Sequence, residues 1–501
     1  MSATDSAQYD LAVIGGGING AGITRDAAGR GLKVLLLEKD DLAAHTSSQS
    51  TKLIHGGLRY LEHYEFRLVA EALAEREVLL RAAPHIVSPL QFVLPHEPHL
   101  RPAWMIRAGL LLYDHLGRRE TLPSSFGVRL GDSAWGAGLK PQFERGFVYS
   151  DAWVDDARLV VLNAMAAREL GAEIRTRSKL VGAERERETW RIIYENSSGR
   201  TIEAKARALV NATGPWVKET LDGLARSEID ADVRHVKGSH IVVPRVHRER
   251  HAYILQNADQ RVAFIIPYQD EFSLIGTTDV PVESFEAPAI SGEETDYLCR
   301  IANAYLARPI APGDAVWSYS GVRPLYDDGS TDPSDVTRDY VLELDHARGA
   351  PILSIFGGKI TTYRRLAEAA LSQLRPFFTG MKGEWTKGEP LPGGDVPRGG
   401  IPGFERELAA RYPWLPERLR SALVHRHGTR TTRVIGEARS IAGLGRHFGD
   451  ALYAAEVDYL VAQEWACTAE DVLWRRTKCG LHLDAGAREG VAAYLRERRP
   501  G

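Results

Sequence analysis

Residues 10–40 read DLAVIGGGINGAGITRDAAGRGLKVLLLEKD, and they constrain the fold more than any other part of the chain. Residues 11–14 form a short apolar run that reads as a buried parallel strand. Gly15, Gly17 and Gly20 follow in GxGxxG spacing, then a helical stretch to about Ala28, then a second strand over 33–37 that ends in Glu38. Each part has a physical task. Gly15 permits a tight turn, Gly17 lets the backbone approach a pyrophosphate, and Gly20 lets the helix pack close to the strand. The free N–H groups at the helix start favour phosphate oxygens. Glu38 suits ribose hydroxyls, and its charge repels a 2′-phosphate. Strand, glycines, helix, strand and terminal acid in this order specify a dinucleotide fold, without separating FAD from NAD.

Composition narrows the class. A chain of 501 residues with 44% apolar and 26% charged residues suits about three globular domains. A net charge of −3 gives no basic field for nucleic acid, which is not expected as a partner. The histidine pairs 96/99, 247/251 and 425/427 lack the glutamate of a zinc helix and read as solvated; no metal is expected. Cys299, Cys467 and Cys479 are too few and too far apart for an iron–sulfur relay and suit a reducing cytosol. The opening MSATDSAQYD has neither the basic nor the apolar region of an export signal.

Three later stretches point to FAD. The loop after the second strand, HTSSQSTKLIHGG (45–57), carries hydroxyls suited to pyrophosphate and ribityl groups, where a nicotinamide enzyme usually returns to a helix. RALVNATGPW (207–216) runs a strand into a small-residue turn, where doubly wound folds bind ligands. PILSIFGGKITTYR (351–364) is a strand, a Gly-Gly turn and a helix start that Thr361 or Thr362 is expected to cap. The expected cofactor-side residues are Gly15, Gly17, Ile18, Asn19, Gly20, Glu38, Thr46, Ser47, Ser48, Ser50, Lys52, Leu53, His55, Gly56, Gly57, Val181, Ala212, Thr213, Gly214, Gly358, Lys359, Ile360 and Thr361.

The blocks GGGINGAG, TSSQSTKLIHGGLRYLEHYEFRLV, YSDAWVDDARLV, NATGPWVK, KGSHIVVPR, IGTTD, YSGVRPL and FGGKITTYR, with EDVLWRRTKCGL near the C-terminus, resemble the FAD-dependent glycerol-3-phosphate dehydrogenases of the aerobic bacterial type. The resemblance implies oxidation of sn-glycerol 3-phosphate at C2, with hydride delivered to flavin N5 and electrons passed to a membrane quinone. It also implies peripheral attachment to an anionic surface at the cytoplasmic face of the inner membrane; a homodimer is expected. Carried over residue by residue, Arg59, Tyr60, Arg323 and Lys359 bind the substrate, with Arg338 a weaker addition. His240 is the first choice of base, because an imidazole titrates near neutrality. Arg323 suits the developing C2 oxyanion. On the residues alone, Arg323 also reads as an ion-paired surface arginine, His240 as a satisfied strand histidine, and Lys52 as a structural lysine. Rival readings are an oxidase using O2, an amine or amino-acid oxidase of the same superfamily, and a flavin-binding protein without catalysis.

The fold class is α/β: a Rossmann-like FAD domain of the glutathione-reductase/D-amino-acid-oxidase type (1–230 and 351–380, with an antiparallel meander near 179–205), an antiparallel substrate sheet (231–350), a linker (381–402) and a helical domain (403–501). A helix is expected over 65–82 with Phe66, Val69, Ala70, Leu73 and Leu80 on its apolar face. Another begins at Asp155 or Asp156. In residues 101–120, Met105, Leu112 and Leu116 oppose Arg107, Asp114 and Arg118, which fits a helix packed on the domain and also an interfacial one.

Overall fold

The computed structural model describes residues 7–97, 101–117, 119–131, 133–225, 229, 231–257, 261–327 and 339–498. Strand β1 (Ala7–Ile14) lies between β2 (Val34–Leu37) and strand Thr201–Asn211, all parallel, and strand Ile352–Phe356 extends the sheet beyond the latter. All four residues of β2 are buried, the apolar continuity required of a parallel strand covered on both faces. Helix α1 (Ile18–Gly29) packs on one face of this sheet with helix Tyr363–Leu374 and with the later helix Asp156–Glu169. The meander is Lys179–Arg185, Trp190–Glu195 and Thr201–Asn211, antiparallel in sequence and attached to the main sheet through its last strand.

The second sheet is larger than the sequence suggests. Its strands run in the order Val280–Pro281, Val233–Pro244, Phe272–Gly276, Val262–Tyr268, Ala252–Gln256, Val87–Pro95, Arg145–Val154 and Leu53–Ile54, with Trp317–Tyr326 also paired to Val233–Pro244. Four strands thus come from the first 154 residues, counting Phe126–Arg129 at the edge. Strand Val341–Asp345, expected in this sheet, instead pairs antiparallel with Ile352–Phe356 in the first. Its short connection to that strand makes a hairpin the easier pairing.

Helix α2 (Phe66–Ala82) packs near the second sheet through Val69 and Leu73, while Phe66 and Ala70, expected on its apolar face, are not buried. Helix α3 (Ala103–Leu116) lies beside α2. Helix α4 (Asp156–Glu169) is capped by Asp155, whose carboxylate accepts from the Arg158 N–H at 3.1 Å. Helix Gly400–Arg411 opens a helical C-terminal region with its own core around Leu423, Val457, Leu460 and Val491. The stretch before it is packed, with Thr386 and Leu391 buried. His247, His251 and His427, read as solvated, are buried, while His425 is exposed and His99 lies outside the described residues. His247 and His251 stack on each other at 4.8 Å, and Arg245 Nε donates to the His247 carbonyl at 2.8 Å.

Candidate active site

The Gly-rich turn has the close approaches its spacing demands. Gly15 has φ +108°, and a Cβ there would lie 2.4 Å from the Ala212 oxygen. A Cβ on Gly20 would lie 1.9 Å from the Gly15 oxygen, so α1 reaches the strand only without one. Ile18 N–H donates to Ser47 Oγ at 2.9 Å, tying the helix start to the hydroxyl-rich loop. Glu38 is buried, and its carboxylate accepts from Gly16 N–H at 2.6 Å and Asp40 N–H at 2.7 Å. Burial raises its pKa against those two bonds. Its oxygens, expected free for ribose, therefore also hold the turn in shape.

On the far side, Gly357 and Gly358 have φ +70° and +94°, and Asn19 Nδ2 donates to the Gly357 oxygen at 3.1 Å. Thr362 takes the cap position of helix Tyr363–Leu374 without a side-chain cap bond, and Thr361 Oγ1 accepts from His55 N–H at 3.3 Å. The expected cap is thus replaced by a tie between two cavity loops. Val181 is a half-exposed apolar side chain close along the chain to Ser178, whose N–H donates to the Glu38 carbonyl at 2.7 Å. Ala212, Thr213 and Gly214 turn beside Gly15, and Thr213 Oγ1 donates to Asn211 Oδ1 at 2.7 Å.

Between these turns and the second sheet lies a cavity of about 1160 Å³. Arg59, Tyr60, His240, Arg323 and Lys359, distant in sequence, all line it. So do Ile18, Thr46, Ser47, Ser50, Leu53, His55, Gly56, Gly57, Gly358, Ile360 and Thr361. Gly17, whose Cβ would sit 3.0 Å from Ser47 Oγ, lies just behind its wall. Ser48 and Lys52 are buried behind the wall: Lys52 Nζ donates to the Ser48 carbonyl at 2.9 Å and to Asp156 at 2.9 and 3.0 Å. Lys52 is therefore spent on an internal ion pair, as its structural reading had it. Arg338 lies outside the described residues.

Lys359 Nζ is shielded from solvent with no hydrogen-bond partner among the described residues, and it lies 4.3 Å from the centre of the Tyr60 ring. An ammonium left unpaired in a cavity calls for an anion. Arg323 donates to Asp279 at 2.8 Å and to Thr277 at 3.2 Å, and it crosses Gly238, whose Cβ would meet its guanidinium at 2.5 Å. His240 is 1% exposed, stacks on Tyr319 at 4.8 Å, and places Nε2 3.0 Å from Thr51 Oγ1. Its Nδ1 has no partner among the described residues. Burial first, then Lys52 and Arg323, hold its pKa well below the ordinary value, so the near-neutral titration expected of it is not met in this state. Sequence reasoning missed Thr51, Thr277 and Asp279. The last two sit inside the IGTTD block, where their polarity at a strand end was the available signal.

Two glycines that admit no Cβ, a helix start facing the cavity, and an Asn19 Oδ1 without a partner among the described residues, beside the second Gly-Gly turn, fit an extended dinucleotide. Residues 10–364 match the family described as FAD dependent oxidoreductase. The chain belongs to that family. FAD is its cofactor, and it is an oxidoreductase. Residues 385–497 match the C-terminal domain of alpha-glycerophosphate oxidase. The chain is 52% identical over 491 residues to the aerobic glycerol-3-phosphate dehydrogenase of Escherichia coli, covering 97% of each. It is 53% identical over 488 residues to the D-erythritol 1-phosphate dehydrogenase of Brucella abortus, again covering 97% of each. The structure of the glycerol-3-phosphate dehydrogenase of Bacillus halodurans, complexed with FAD, superposes with a TM-score of 0.74 at 25% identity, covering 98% of this chain and 94% of that one.

Proposed function

We propose that this enzyme oxidises sn-glycerol 3-phosphate to dihydroxyacetone phosphate and passes the electrons through FAD to a membrane quinone. The observation that carries the reading is the unpaired Lys359 ammonium in a cavity shared with Arg59. Arg59 likewise makes no ion pair among the described residues, so two cations await a phosphate. The relatives named for glycerol 3-phosphate and D-erythritol 1-phosphate both take a phosphorylated polyol by name.

Arg59 and Lys359 hold the phosphate, with Tyr60 beneath the ammonium. Arg323, aimed by Asp279 and Thr277, faces the C2 oxygen and stabilises the charge that develops there. His240, held neutral, accepts the hydroxyl proton through a ring nitrogen. Bound FAD supplies the two-electron acceptor for the C2–H bond. The phosphate-binding glycine turn Gly15–Gly20, Glu38, Val181 and the loop from Thr46 to Gly57 hold the cofactor. Anaerobic addition of glycerol 3-phosphate to the yellow holoenzyme bleaches it; a preparation that stays yellow refutes the assignment. The Brucella relative supports a second reading, in which D-erythritol 1-phosphate is the better substrate, and the same assay with both compounds separates them.

The quinone and the membrane are supported by α3. Arg107 donates to Ser125 Oγ at 2.7 Å and Asp114 accepts from Ser125 N–H at 2.8 Å, so these polar side chains are turned onto the protein. Trp104, Met105, Leu111 and Leu112 are left exposed, joined near the cavity mouth by Tyr64 and Phe66. Arg118, expected on the polar face, lies outside the described residues. No helix among the described residues is long and apolar enough to cross a membrane. An outward apolar face of this kind suits the headgroup boundary, with the enzyme peripheral on the cytoplasmic side of the inner membrane.

A further inference from the structure

The C-terminal region holds an internal charge system that the reaction as described does not use. Arg476, fully buried, donates to both oxygens of Asp41 at 2.8 Å, and Arg475 Nε donates to the same carboxylate at 2.7 Å. Asp41 stands three residues past Glu38, at the root of the hydroxyl-rich loop. Two residues beyond Arg476, Lys478 is 2% exposed and pairs with Asp155. The neighbouring Asp156 grips the loop on both sides of Thr51. It accepts from Ser50 Oγ at 2.7 Å and Ser50 N–H at 3.2 Å, and from the Lys52 ammonium. Thr51, between them, meets His240. Tyr319, on which His240 stacks, donates its hydroxyl to the Ser50 carbonyl at 2.8 Å.

Backbone conformation marks the same place. Of nine non-glycine residues with left-handed φ among those described, five are Ala43, Lys52, Arg177, Trp465 and Lys478, at 58°, 60°, 50°, 57° and 60°. All five lie on the loop or on the segments bonded to it: Arg177 N–H donates to the Asp40 carbonyl at 2.8 Å, and its guanidinium to Asp471 at 2.6 Å. Such conformations persist where the surroundings over-determine them, and they gather at sites whose geometry matters. Trp474, in the same segment, stacks at 4.7 Å on Trp317, in the strand that carries Arg323.

We propose that the segment from Trp465 to Lys478 is a positioning element for the reaction: Arg475 and Arg476 fix the root of the cofactor-side loop through Asp41, and Lys478, through Asp155 and Asp156, holds Thr51 against His240. The proposal rests on His240 as proton acceptor. None of these C-terminal residues lines the cavity, so they act through the loop.

The test uses holoenzyme carrying Lys478→Met with Asp155→Asn, which leaves no lone buried charge and keeps a residue able to cap α4. The expected result is full FAD content, kcat lower by on the order of tenfold to a hundredfold, and KM for glycerol 3-phosphate within about twofold. Thr51→Val loses a similar factor, and the triple variant loses no more than the larger of the two, because both act on one contact. Hydrogen exchange at amides 45–52 accelerates in the double variant, a readout independent of turnover. Wild-type kcat with unchanged loop exchange overturns the proposal, and so do losses that multiply. If unmodified holoenzyme is not bleached by glycerol 3-phosphate, the substrate assignment fails, while the loop exchange still reads the brace.

Discussion

Lys359→Met separates a binding cation from a structural one. The ammonium has no hydrogen-bond partner among the described residues and is shielded from water, so in the substrate-free protein it is a cost rather than a support. Methionine has nearly the length of the lysine stem and lies against the Tyr60 ring with no polar atom to satisfy. Without substrate, the melting temperature should therefore hold or rise. With substrate, a charge-assisted hydrogen bond of about 1.5–3 kcal/mol is lost, which raises KM roughly tenfold to 150-fold. The same loss appears as a smaller thermal shift. At a hundredfold excess over Kd the ligand adds about 2.7 kcal/mol, and a Kd weakened about thirtyfold leaves about 0.9 kcal/mol at the same concentration. The assay is a melting scan of FAD-loaded protein under anaerobic conditions, with and without glycerol 3-phosphate, beside steady-state KM with a soluble acceptor. An unchanged KM, or a substrate-free melting temperature that falls by several degrees, refutes the reasoning.

Four further outcomes are expected. Gly276→Ala places a Cβ 2.1 Å from His240 Cδ2, so the imidazole must move; kcat should fall on the order of tenfold or more with FAD content unchanged by absorbance. Gly20→Ala forces its Cβ onto the Gly15 oxygen at 1.9 Å, and the protein should purify with little FAD. His247 and His251 have pKa values pushed down by burial to about 4 and about 3, so between pH ~6.5 and those values the unfolded chain binds protons that the folded one refuses. Stability is then complete above pH ~6.5 and falls on acidification by up to about 1.4 kcal/mol per pH unit for each, a slope that His247→Phe should reduce in melting scans from pH ~7 to ~5. Leu111→Asp with Leu112→Asp should abolish co-sedimentation with anionic lipid vesicles while turnover with a soluble dye persists; retained vesicle binding removes α3 from the membrane contact.

The first sheet was readable because each of its signals is local. An apolar run, a glycine with positive φ and a terminal acid lie within about thirty residues of one another, and backbone sterics alone dictate their order. The second sheet was not readable to the same extent. Residues 145–154 enter it by pairing with 87–95, which pair in turn with Ala252–Gln256, partners that periodicity along the chain does not name. Strand Val341–Asp345 has the same alternation in either sheet, and only its proximity to Ile352 decides between them. In the cavity, Arg59, Lys359 and Arg323 were recognisable as cations beside small-residue turns. What holds Arg323 and His240 was not, because Asp279, Thr277 and Thr51 are ordinary polar residues until folding places them within 2.8 to 3.2 Å of an arginine or an imidazole.

Helix α3 shows the converse limit. A hydrophobic stripe opposite a charged one predicts a helix, but not which stripe faces inward. Arg107 and Asp114 find Ser125, and the helix buries Leu110 and Tyr113, which belong to neither expected stripe, leaving Met105 and Leu112 outside.

The electrostatics of the cavity tie binding to proton transfer. Lys52 and Arg323 disfavour a charged His240, on top of its burial. In the free site the imidazole is consequently neutral but a weak base. Lys52 is already matched by Asp156, so its contribution is fixed. Arg323 is only partly matched by an exposed Asp279. A phosphate dianion seated on Arg59 and Lys359 brings negative charge into the same cavity and opposes the field of these cations. An imidazole whose proton affinity was suppressed by positive charge recovers it when that charge is compensated. Burial, Lys52 and Arg323 keep the imidazole unprotonated in the free site, and on the proposed assignment a phosphate seated on Arg59 and Lys359 would return only that part of its proton affinity that positive charge had removed.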